Sequence, residues 1–159
     1  MEILNPQTLA DELAIRDLTS QFTDAVNRRE PTALGALFVA DGEWIVPGIP
    51  ETRGPAAVTA VIDHLLSGFP LLVQLVNTGR VQITGDQATA RWYLTEFARD
   101  VNGVGWSFVG YYHDRLIRTS GGWRFASRRF DFLYRGRTEV PGKATPFALP
   151  EPDGSPWPI

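Results

Sequence analysis

Apolar residues recur at helical spacing up to Gly68 and alternate with polar ones from Leu71 onward. Leu9, Leu13, Leu18, Phe22 and Ala25 fall close to one helical face and predict an amphipathic helix ending near Arg28. Two sites compete for its start. Asn5 before Pro6 reads as an N-cap with proline at the first helical position, and Thr8 with Asp11 is the rival. Glu30-Pro31 interrupts the pattern, and Pro31 opens a short second helix with Leu34, Leu37 and Phe38 as its stripe. Asp41-Gly42 reads as a turn, 43–46 as a short strand and 47–50 as another turn. Gly54-Pro55 opens a third helix that ends near Gly68.

The second half reads as strands. Leu71–Ile83 is one, 84–87 a turn, and Ala88–Arg99 the next. Asn102-Gly103 is a hairpin signal, and Ser120-Gly121-Gly122 separates the two long runs between Val104 and Gly136. In the last run Trp123 and Phe125 share one parity, whereas Phe130, Phe132 and Tyr134 share the other. A strand changes face only by gaining a residue, so a β-bulge is predicted between Ala126 and Arg129. Short hairpins make the long strands antiparallel. The fold class is α+β: three N-terminal helices packed in a curved, mostly antiparallel sheet over residues 1–136. Residues 137–159 are a proline-rich tail expected to pack on the domain or on a neighbouring subunit, anchored by Phe147, Leu149 and Trp157.

Composition narrows the chemistry. The chain has 159 residues, one domain's worth, with a net charge of −3 and no basic stripe, so no nucleic-acid partner is expected. It has no cysteine, which removes disulfides and thiolate chemistry, and two histidines make a zinc site improbable. No apolar run approaches the roughly 20 residues of a membrane span, and residues 1–16 lack a secretory layout. A soluble, cytoplasmic protein is expected. No glycine-rich phosphate loop is present, and no cofactor or metal is expected.

Parity assigns the sheet's faces. Trp92, Glu96, Tyr112 and Asp114 share what is taken as the inner face. Either carboxylate becomes a general base if burial raises its pKa; equally, either pairs with an arginine, for which Arg128 is the obvious partner. His64, beside Asp63 late in the third helix, is a further candidate base or a helix-end residue, and His113 falls on the outer face. Trp44, Trp92, Trp106, Phe108, Tyr112, Phe130 and Phe132, with Phe22 from the first helix, either line a pocket for a small hydrophobic molecule or fill the core. Gln74, in the apolar run LLVQLV, projects into that cavity or satisfies a neighbour. Asn77 has the opposite parity, so both face inward only across a bulge. Asn27 is either a polar pocket residue or a helix C-cap. Tyr93, Phe97, Val109 and Tyr111 lie on the outer face, and covering them predicts a homo-oligomer, dimer or trimer.

AIRDLTSQFTDAVNRREPTALGALFVADGEW, RGPAAV, GDQATARWYL and YHDRLIRTSGGWRF, in that order and spacing, resemble the SnoaL-like branch of the nuclear transport factor 2 superfamily over roughly residues 9–136. The resemblance implies a cone-shaped fold, a bent sheet around helices with a pocket inside. That fold hosts lyases, isomerases, hydrolases and non-catalytic members. In the dehydratase and dehydrochlorinase members a His–Asp dyad abstracts a proton. By resemblance its positions fall on Gln74 and Asn27, Trp44 on a pocket wall, Arg128 on a pocket arginine and Trp92 on a pocket histidine. An amide is not a general base near neutral pH, so the dyad as such is absent. Three readings stay open: a cofactor-independent enzyme acting on a hydrophobic carbonyl- or hydroxyl-bearing compound, a non-catalytic ligand-binding module, and a protein-interaction subunit.

Overall fold

A computed structural model describes residues 5–144. In chain order its elements are α1 (Pro6–Arg28), α2 (Pro31–Gly35), β1 (Phe38–Ile45), β2 (Thr52–Arg53), α3 (Pro55–Gly68), β3 (Leu71–Thr84), β4 (Gln87–Arg99), β5 (Gly105–Thr119) and β6 (Gly122–Arg137). They form an α+β fold with one six-stranded curved sheet in the order β2-β1-β6-β5-β4-β3. All three helices open with proline in the first turn. At α1 the contest between caps goes to Asn5, whose Oδ1 accepts the Gln7 N–H at 2.9 Å. Its C-cap is Arg29 in the left-handed region (φ 60°), so Asn27 lies inside the helix and is not its cap.

Two expectations need correction. The third helix follows two strands, β1 and β2, where one was expected. β1 begins at Phe38 and runs through Asp41-Gly42, the expected turn; its register against β6 shifts between Phe38 and Glu43. Gly42 tolerates that irregularity because a Cβ there would lie 2.8 Å from the Phe125 carbonyl oxygen. The β1–β6 pairing is parallel, whereas every other pairing in the sheet is antiparallel. Hairpin logic finds only neighbours in sequence, and this pair is joined across most of the chain.

α1 buries Leu18, Phe22 and Ala25 of the expected face but turns its first part differently. Leu9 and Leu13 are 47% and 58% exposed, while Asp11, Ile15, Leu18, Thr19, Phe22 and Val26 are buried. Two polar residues are buried because they have partners on distant strands. Asp11 takes bonds from Arg118 at 2.6 and 2.7 Å and from the Trp123 indole at 3.1 Å, and Thr19 meets Arg128. Val58, Ile62 and Leu66, four residues apart on α3, complete the packing against the sheet. Each contributes about 1.5–3 kcal/mol by leaving water.

Three bulges bend the sheet. Asn77 is the extra residue in β3, between the Val76–Leu94 and Thr78–Tyr93 pairs. In β6 the extra residue is Ala126, between Phe125–Leu116 and Ser127–Arg115, inside the window predicted for a bulge. A second bulge in β6, at Leu133, was not expected. Opposite it, a Cβ on Gly110 would meet the Asp131 oxygen and the Phe130 ring at 2.5 Å, so only glycine fits. Leu133 corrects the parity of Tyr134, which is 53% exposed on the outer face and not inward with Phe132. The start of the tail is held by Arg99, which donates to the Val140 and Gly142 carbonyls at 2.7 and 2.8 Å. The anchors Phe147, Leu149 and Trp157 lie outside the described residues. Among the described residues no helix is long and apolar enough to cross a membrane.

Candidate active site

A cavity of about 330 Å³ lies between the helices and the sheet. Phe22 and Val26 of α1, Ile62, Leu65 and Leu66 of α3, and the 46–49 loop form its helical side. Leu72, Gln74, Glu96, Phe108, Tyr112, Phe130, Phe132 and Arg135 form its sheet side, with Trp44. The walls are mostly apolar, and the volume is at the low end of ligand sites, about 300–1,000 Å³, which suits a one- or two-ring molecule.

The polar groups are organised around Gln74, which is 2% exposed. Its backbone N–H donates to Asn27 Oδ1 and its carbonyl accepts from Asn27 Nδ2, both at 2.9 Å. Asn27 thus pins α1 to β3 as a strand neighbour would, and its amide is spent on backbone and not on the cavity. Thr23 Oγ1 donates to Gln74 Oε1 at 3.0 Å, which fixes the amide's orientation. Gln74 Nε2 then faces Glu96 Oε1 at 2.6 Å and the Tyr112 hydroxyl oxygen at 3.3 Å. Both hydrogens of the NH₂ group are used, one for each neighbour. Asn77, the bulged residue, stays exposed and donates to Thr95 Oγ1 at 3.1 Å.

Glu96 is the carboxylate of the cavity. Burial pushes its carboxyl above the usual range, and the bond from Gln74 opposes that rise. Tyr112 is pushed upward by burial and by Glu96, with the Arg128 charge opposing. Trp44 and Phe22 are buried against the cavity, and the Trp44 indole N–H has no partner among the described residues.

Besides Asn27, four expected site residues are placed elsewhere. Asp114 and Arg128 have no exposed surface and do not line the cavity; they face each other, Nε to Oδ1 at 3.3 Å. The guanidinium is caged by the Tyr112, Phe22 and Phe125 rings at 3.9, 4.3 and 4.3 Å. Burial pushes the Asp114 carboxyl up to about 6 while Arg128 pulls it down. Trp92 is buried outside the lining, with Arg16 over its ring at 5.4 Å. His64 is exposed on α3, on the side away from Ile62 and Leu66. Thr23 and Arg135 were missed. Thr19, Thr23 and Asn27 recur every four residues on α1, and that polar stripe beside the apolar face of an amphipathic helix was the available signal. Arg135 carried none, because a bulge decides its face.

The sequence pattern of the SnoaL-like domain matches residues 7–129. The chain belongs to the SnoaL-like family. The gamma-hexachlorocyclohexane dehydrochlorinase of Sphingobium indicum is 26% identical to this SnoaL-like chain over 129 residues, 76% of the chain and 79% of that protein. Among solved structures, a type 2 hexachlorocyclohexane dehydrochlorinase superposes with a TM-score of 0.80 at 20% identity, covering 87% of this chain and 95% of that one. A putative scytalone dehydratase from Novosphingobium aromaticivorans superposes with a TM-score of 0.74 at 19% identity, covering 86% and 97%. At such identities the superpositions show a shared fold. In this SnoaL-like protein positions 27 and 74 both carry amides, and the Asn27 side chain meets the Gln74 backbone. Among the described residues no group of three or more His, Cys, Asp or Glu side chains is placed to hold a metal ion.

Proposed function

We propose that this SnoaL-like protein is a cofactor-independent acid–base enzyme of the lyase or isomerase type, acting on a hydrophobic carbonyl- or hydroxyl-bearing compound with Glu96 as its base. The observation that carries the reading is the Glu96 carboxylate, set in an apolar cavity and held by Gln74 at 2.6 Å. A carboxylate raised by burial is a stronger proton acceptor near neutral pH than one in water. Gln74 fixes its direction and limits the rise. The same amide donates to the Tyr112 oxygen, which leaves the Tyr112 O–H free to donate to a substrate oxygen. A trigonal NH₂ spreads its two acceptors about 5 Å apart at these distances, enough to seat a C–H acid and its neighbouring oxygen between them.

In the proposed step Glu96 takes the proton of a C–H bond adjacent to a carbonyl. The bonding pair moves toward the carbonyl oxygen, which accepts the Tyr112 hydrogen bond. Return of the proton at another carbon completes an isomerisation; departure of a neighbouring group with its electron pair completes an elimination. Both dehydrochlorinase and dehydratase, the names of the relatives, are eliminations. Trp44 and Phe22 would pack against the substrate's apolar body.

The test is exchange of the α-protons of 2-tetralone in D₂O, followed by proton NMR. The wild type is expected to accelerate exchange over buffer, and Glu96→Gln to lose about 10²–10⁴-fold of the enzymatic rate, the usual contribution of a positioned base. Full exchange in Glu96→Gln would sink the assignment. The amides at 27 and 74 favour one second reading, a ligand-binding module without turnover. It is chosen if 2-tetralone binds but exchange does not exceed buffer. The outer face exposes Leu75, Tyr93, Leu133 and Tyr134, and we extend the proposal to a homo-oligomer, dimer or trimer, through that face. Sedimentation as a monomer at micromolar concentration would remove that part and favour a different protein as cover.

A further inference from the structure

Arg135 is the cation of the cavity lining, and the Leu133 bulge puts it there. Phe130 and Phe132 face inward, so simple alternation would turn Tyr134 inward and Arg135 outward. The extra residue reverses this: Tyr134 pairs with Val109 on the outer face, and Arg135 pairs with Phe108, a lining residue. Its guanidinium lies 5.8 Å from the Phe132 ring and 5.6 Å from the Trp106 ring, within the reach of a cation–π contact. Arg135 is exposed, so it occupies the solvent edge of the cavity.

The register adds a direction. Glu96 pairs with Phe108 across β4 and β5, and Phe108 pairs with Arg135 across β5 and β6. Glu96, Phe108 and Arg135 therefore form one row across three strands, with the end positions about 10 Å apart at the usual strand spacing. No ion pair joins the two charges. Arg16, Arg53, Arg118 and Arg129 each meet a carboxylate, and Arg137 acts on Asp100. Arg135 meets none among the described residues.

We propose that Arg135 is the anion-recognition residue of the pocket, and that the substrate is a hydrophobic acid lying across Phe108 with its carboxylate on Arg135 and its reacting carbon toward Glu96. The orientation of the inner end rests on the acid–base reading above; the carboxylate preference does not. A planar carboxylate matches the paired donors of a guanidinium, and the Glu96 charge repels an anion from the inner end.

Isothermal titration calorimetry of 2-naphthoate against 2-naphthamide, at low and at physiological salt, tests this. The two share rings and shape and differ in charge. The wild type is expected to bind the carboxylate about tenfold more tightly, with the margin narrowing in salt. Arg135→Gln should erase the margin, Arg135→Lys keep part of it, and Glu96→Gln keep or widen it. Equal affinities in the wild type, a margin that survives Arg135→Gln, or no binding of either compound at millimolar concentration would each overturn the proposal. Loss of 2-tetralone exchange specificity for Glu96 with the naphthoate margin intact would instead refute only the acid–base reading.

Discussion

Arg128→Met isolates the electrostatics of the buried pair. Methionine keeps an apolar stem among Phe22, Tyr112 and Phe125 but removes the charge opposite Asp114. The consequence depends on pH, because a stranded carboxyl can take up a proton. In the wild type Asp114 has a folded value of about 6 against 3.8 when exposed, so between the two the native state binds more protons than the unfolded state. Stability then falls as pH rises through that window, by about 1.4 kcal/mol per unit, and levels off above the folded value. Without Arg128 the folded value rises further, and the variant goes on losing stability where the wild type no longer does. Below pH 6, where Asp114 is protonated in both proteins, the gap should not change with pH, being set by packing and by the buried guanidinium that only the wild type carries. Between pH 6 and pH 8 the gap should widen steadily, toward the roughly 3–5 kcal/mol typical of breaking one side of a buried pair. Urea unfolding followed by tryptophan fluorescence at pH 5, 6, 7 and 8 measures the gap, and titrations elsewhere in the chain cancel in the difference. The double variant Arg128→Met with Asp114→Asn should abolish the widening. A gap that is the same at all four pH values would refute the reasoning, because it would place the loss in packing and not in a stranded charge.

Two further outcomes follow from named contacts. Asp11, held well below the usual carboxylate range chiefly by its bonds from Arg118, contributes stability that is present above the ordinary value of 3.8 and lost as pH falls below it. The melting-temperature gap between wild type and Asp11→Asn should therefore be full at pH 7 and shrink as the pH is lowered past about 4; a gap constant to pH 2.5 would contradict it. Thr23→Val removes the donor that orients the Gln74 amide, so the NH₂ group is no longer committed to Glu96. The rising limb of the 2-tetralone exchange rate should then move to higher pH, and Thr23→Ser should restore it; an unmoved limb in Thr23→Val would remove Thr23 from the network.

Local chemistry made much of this fold legible. Proline in the first turn marked the start of each helix, and Asn5 capped the first. The parity break between Phe125 and Phe130 announced the Ala126 bulge, because apolar residues on both sides of it were bound for one face. The same argument failed seven residues later, at Leu133. Phe132, Leu133 and Tyr134 are all apolar or aromatic, so a slip there leaves no break in the pattern, and Arg135 was turned inward unseen.

Alternation placed Glu96 and Asp114 on the same face of the sheet, and no more than that was encoded in the spacing. The tertiary structure separated them. Glu96 lies under the open cavity between α1 and α3, whereas Asp114 lies under α1 beside Arg128, where no space remains. Likewise Asp11 is buried and Leu9 and Leu13 exposed because Arg118 and Trp123 arrive from more than a hundred residues away. Helix starts, strand parity and turns depend on neighbours a few residues apart and are written locally. Which side chain meets a cavity, a counter-charge or water depends on strand register and on what covers the sheet, and those are settled only when distant segments pack.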